Sequence, residues 1–120
     1  MRTASSSRAF EALRTGAVAG LAGGLAEIGW VASYGTITGT PTGAVARGVA
    51  ATVVAEFATS PAAVWLGIGI HLILAVGLGV GLAIVIRLLA RWAERDRSEF
   101  GVVMPVLAAV WAANFLIALP

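Results

Sequence analysis

Long apolar runs punctuated by a few polar residues define this chain. The longest is PAAVWLGIGIHLILAVGLGVGLAIVIRLLA, residues 61–90, in which 25 residues between Pro61 and Arg87 carry no formal charge. At about 1.5 Å per residue that is enough to cross a hydrocarbon core of roughly 30 Å with some tilt. An earlier run, 15–37, is interrupted only by Glu27, and a third spans 100–119. TGTPTG, residues 38–43, is a turn signal. The segment after it, 44–60, has the length and polarity of a marginal helix. Strands of about ten alternating residues, as a membrane barrel requires, do not occur.

The pattern predicts an all-α, polytopic membrane protein forming a single domain. Residues 1–14 form a polar N-terminus on the cytoplasmic side, spans run over 15–37, 62–90 and 100–119, and 91–99 is a cytoplasmic loop. The segment 44–60 is expected to be interfacial or re-entrant, with a fourth span as the alternative. Arginine placement favours the first arrangement. All eight basic residues are arginine, and all but Arg47 flank the apolar runs: Arg2, Arg8 and Arg14 at one end, and Arg87, Arg91, Arg95 and Arg97 around the second long run. Basic residues collect on the cytoplasmic side, and only an even number of spans through residue 90, one outward and one back without a crossing at 44–60, puts both clusters there. Trp30, Tyr34, Trp65 and Trp92 stand near predicted span ends as interfacial anchors.

Composition agrees, with 59% hydrophobic residues, 12% charged residues and a mean hydropathy of +0.94. The high isoelectric point reflects a net charge of only +2 located at span ends, so it indicates topology and not nucleic-acid binding. Cysteine is absent, which excludes disulfides and thiolate metal sites.

Two features carry candidate chemistry. Gly16, Gly20 and Gly24 recur every four residues, as do Gly77 and Gly81, a spacing that lets helix backbones approach closely in lipid. Glu27 falls about 20° around the wheel from Gly20 and shares its face. The second feature is a polar level. Counted from Arg14, Arg87 and Phe100 as cytoplasmic ends, Glu27, His71 and Asn114 lie at about 20, 24 and 21 Å depth. An isolated carboxylate in lipid takes up a proton or finds a donor, and His71, the sole histidine, is available. Such a cluster serves as structural glue, or it handles protons or cations. A lesser reading is axial ligation of haem or a pigment by His71. Otherwise no cofactor or metal is expected, since one histidine without cysteine does not close a metal site. An Arg47 to Glu56 ion pair would need a bent helix, because nine residues set them on opposite sides of the wheel. No phosphate loop, nucleophile triad or catalytic carboxylate pair is present, so an enzyme is not expected.

The stretches AGLAGGLAEIGW, IHLILAVGLGVGLAIVIR and VWAANFLIALP resemble those of small bacterial inner-membrane proteins of uncharacterised function, chiefly in Glu27 with Trp30, His71, and Trp111 with Asn114. In that pattern further spanning helices follow, whereas this sequence stops at Pro120. That departure suggests a part that needs neighbours, and the small size, minimal soluble portion and two glycine faces point to an accessory or structural subunit of a bacterial inner-membrane complex, partnered by lipid and by other subunits or copies of itself. The alternative is a small homo-oligomeric proton- or cation-coupled transporter or channel using Glu27 and His71.

Overall fold

The computed structural model describes residues 2–41 and 43–92, together with 104, 105, 107–109 and 112. Among them the chain is helical and contains no strand. Helix α1 covers Arg2–Thr38, α2 covers Ala44–Val53, a short 3-10 turn covers Ala55–Phe57, and α3 covers Ala63–Trp92. Two helices are long and apolar enough to cross a membrane, Ser6–Thr38 and Ala63–Leu89. The expected span over 100–119 falls mostly outside the described residues.

Helix α1 starts much earlier than the boundary at Thr15 predicts. Nothing in RTASSSRAFEALR breaks a helix, and polarity alone does not end one, so the arginine-bearing segment continues the same rod. The other end is sharp. Gly39 adopts φ +74°, the left-handed conformation that closes a helix without a Cβ penalty, and Pro41 follows. Hydroxyls along the last turns satisfy themselves on the helix backbone: Ser33 Oγ donates to the Gly29 carbonyl at 2.8 Å, and Thr38 Oγ1 donates to that of Tyr34 at 2.9 Å. Such internal bonding is what an environment without water demands.

The segment 44–60 is not one helix. It turns helical for ten residues, breaks at Val54 with φ −139° and ψ 88°, and continues as the 3-10 turn. Ten residues rise about 15 Å, half of a hydrocarbon core, so α2 cannot cross one by itself. It folds back on the beginning of α3 instead. The Ala46 carbonyl lies directly against Gly67, Gly43 sits beside Val64, and Ala50 and Ala63 are fully buried. Arg47 does not reach for Glu56; its Nη1 donates to the Ser60 carbonyl at 3.1 Å and pins the connection into α3.

Helices α1 and α3 are antiparallel, and their register can be read from a ladder of contacts. The position of a Cβ on Gly16 would be 2.6 Å from the Gly79 carbonyl oxygen and 2.8 Å from Ala83 Cβ. Gly20 abuts the Ala75 carbonyl, and a Cβ on Gly24 would be 2.8 Å from Ala75 Cβ. At the arginine end, Arg87 Nη1 donates to the Arg8 carbonyl at 2.8 Å. The packing is inside out relative to a water-soluble protein. Glycine and alanine fill the seam, while large apolar side chains such as Val18, Trp65, Ile73 and Leu74 are exposed. Where water is the solvent the hydrophobic effect reverses that order; in lipid, close backbone approach is the available source of cohesion.

Candidate functional site

The α1–α3 register brings Glu27 and His71 together. His71 Nε2 lies 3.7 Å from Glu27 Oε2. This is ion-pair distance, longer than the 2.7–3.2 Å of a hydrogen bond. Gly24, one turn before Glu27, lets α3 close in at Ala75, 2.8 Å from its Cβ position, and the imidazole Nε2 lies in ordinary contact with that position at 3.8 Å. The two partners differ in environment. The His71 side chain is 25% exposed, and its Nε2 is buried with no hydrogen-bond partner among the described residues; the Glu27 side chain is 65% exposed. A closing movement of about half an ångström would let Nε2–H donate to the carboxylate, giving a charge-assisted bond stronger than a neutral one.

Glu27 faces an elongated groove of about 810 Å³ between α1 and α3. Its floor is the glycine seam, its walls include Ala19, Leu78 and Leu82, Leu107 contributes from the last segment, and Arg8 and Arg87 border the opposite end. Counted along α1, Arg8 and Glu27 are about 28 Å apart. Because Arg8 meets Arg87, the arginine end of α1 is at Arg8, and Arg14, six residues on, stands about 9 Å inboard of Arg87. That differs from a count that starts at Arg14. His71 is about 24 Å from the level of Arg87 and about 9 Å from that of Trp65. The pair therefore lies toward the tryptophan end of the hairpin.

Of the glycines singled out by spacing, Gly16, Gly20 and Gly24 line the seam, while Gly77 and Gly81 have nothing within 4 Å of a Cβ position among the described residues. The α3 half of the seam is Ala75, Gly79 and Ala83. This small-residue stripe has the same four-residue spacing, shifted by two positions from Gly77 and Gly81, and two of its members are alanine. The spacing rule for small residues, applied to alanine as well as glycine, would have found it. Trp30, Tyr34 and Trp65 are exposed at one end of the hairpin, as anchors require. Arg87 is engaged with α1. The side chains of Arg91 and Trp92, and all of Arg95, Arg97 and Asn114, lie outside the described residues. No group of three or more His, Cys, Asp or Glu gathers among the described residues, leaving Glu27 and His71 as the pair available to a proton or cation.

No protein-family model, curated protein or solved structure matches the chain.

Proposed function

We propose that this chain is a structural subunit of a bacterial inner-membrane assembly, held in the bilayer by the α1–α3 hairpin with a third span over 100–119, and with α2 lying at or dipping into the outer interface. Both arginine clusters are cytoplasmic in this arrangement. The observation that carries the reading is Glu27. A carboxylate 65% exposed on a helix long and apolar enough to span is costly toward lipid, by about 2.5–3.5 kcal/mol even on insertion scales, and so calls for protein against it. His71 covers one side only. The remainder is covered by another helix, from a partner subunit, a second copy or the chain's own last segment with Asn114.

A photo-crosslinking residue at Gly23, which opens onto the groove, tests this in native membranes. A discrete protein adduct from Gly23 and none from Val18, on an exposed apolar position, is the expected result. A chain that remains monomeric in mild detergent and by itself moves a solute across liposomes would overturn it.

The 3.7 Å approach of His71 to Glu27 favours a second reading, a small homo-oligomeric transporter or channel in which the pair relays protons or cations. Flux through purified protein in liposomes would then be abolished by Glu27→Gln and by His71→Ala with assembly intact. Unchanged flux in both variants removes this reading. An absorbance spectrum of the purified chain checks for a haem or pigment on His71.

A further inference from the structure

The arginine end of the groove is chemically unlike the Glu27 end. Arg87 reaches across from α3 and bonds to the Arg8 backbone carbonyl, which fixes its guanidinium at the mouth that Arg8 also lines. Glu11 stands on the same rim. From there the groove runs inward between Ala12 and Ala19 on one side and Leu82 and Ile86 on the other, over the glycine floor. Arg8 to Gly20 is about 18 Å along the helix, against about 15 Å for half of a hydrocarbon core. The cationic mouth thus opens onto an apolar channel one leaflet deep, and Glu27 lies about 10 Å beyond its end.

We infer that this half of the groove is a binding site for an anionic phospholipid of the arginine-side leaflet, its phosphate on the Arg8–Arg87 mouth and one acyl chain laid along the seam over Gly16 and Gly20. A guanidinium is planar, carries five donors and suits phosphate bidentately. One Arg87 donor is spent on the Arg8 carbonyl, which orients the group and leaves the others for a headgroup. Basic pockets between spanning helices on the cytoplasmic side are a general device for holding such lipids. Gly16 and Gly20 are closed against α3 and form the floor, and the small side chains at Ala12 and Ala19 leave the width above it for a chain of methylenes. The inference takes from the proposed function that the hairpin crosses a bilayer, and it requires that the helix covering Glu27 leave the arginine half of the groove to lipid.

The test uses the full chain in phosphatidylcholine vesicles containing a trace of spin-labelled phosphatidylglycerol or, in parallel, spin-labelled phosphatidylcholine. The motionally restricted fraction reports lipid held against protein. Phosphatidylglycerol is expected to be favoured about fivefold or more, the effect of one arginine near an anionic surface. Arg87→Gln should lower that preference toward unity and Arg87→Lys should restore part of it. Ala19→Phe fills the channel without touching the arginines, and should also abolish the preference with helix content unchanged. Equal retention of both lipids by the unaltered chain overturns the inference. So does a preference that survives Ala19→Phe, because it would then come from the basic rim alone. If neither label shows a restricted component, the hairpin is not in the bilayer, and the membrane reading falls with the lipid site.

Discussion

Replacing Gly79 by alanine adds one methyl group at the tightest point of the α1–α3 seam. The new Cβ would meet the Gly16 carbonyl and stand 2.8 Å from both the nitrogen and the Cα of Gly20. All three are backbone atoms of a continuous helix, so none can rotate aside. Restoring ordinary contact at 3.4 Å with Gly20 alone requires the helices to part by about 0.6 Å, and the closer Gly16 carbonyl demands more. A gap of 0.5–1 Å forfeits a quarter to a half of the dispersion energy of each seam contact, and overpacking of this kind costs about 1–3 kcal/mol. The control is Gly77→Ala, two residues away on the same helix, where nothing described lies within 4 Å. Both substitutions gain the same helix propensity, so the difference between them isolates the steric cost. Gly79→Ala should therefore weaken hairpin closure relative to Gly77→Ala by about 5- to 150-fold. The chain has no cysteine, so fluorophores placed at Ser7→Cys and Leu89→Cys, at one end of the hairpin, report closure by energy transfer during a denaturing-detergent titration. Equal midpoints for the two alanine variants, or a lower one for Gly77→Ala, would refute the seam as described.

Gly67→Val should dislodge α2, because the Ala46 carbonyl occupies the space its side chain needs; faster proteolysis within 44–60 with an unchanged α1–α3 distance is the expected signature. Arg47→Met removes the bond to the Ser60 carbonyl, and a part-buried bond from a charged donor is worth about 1.5–3 kcal/mol, so the same connection should show faster hydrogen exchange than in the unaltered chain. Single cysteines at Ser7 and Leu89 should react with an impermeant reagent from one side of the membrane and a cysteine at Thr40 from the other; Ser7 and Leu89 on opposite sides would contradict the antiparallel register.

Much of the hairpin was legible in the residues. Gly16, Gly20 and Gly24 announce a close-packed face because nothing but glycine repeats so regularly there, and TGTPTG marks the end of α1 because few backbones pass through Gly-Thr-Pro without turning. Glu27 and His71 stand out as polar residues in apolar runs, and counting residues from charged ends put them at similar depth. The partner stripe was harder to see. Ala75, Gly79 and Ala83 are masked by the more conspicuous Gly77 and Gly81, and only the register of the two helices decides which stripe faces α1. Helix α1 also extends beyond the span that hydropathy marks. Polarity reports what surrounds a segment and says nothing of its backbone, so the arginine- and serine-rich N-terminus looked like a tail while remaining helical from Arg2. In 44–60 the apolar character was visible, but the break at Val54 follows from α2 turning back onto Gly67, a tertiary contact that no local pattern encodes.

Helix α1 has 37 residues, about 55 Å of rod, against about 30 Å of hydrocarbon. Placed in a bilayer as proposed, it would stand proud even when leaning, and its contacts with α3 would make the pair lean as one piece. A thicker or thinner bilayer would then be met by a change of inclination, like a mooring post settling in softer ground, with the relative height of Glu27 and His71 preserved throughout.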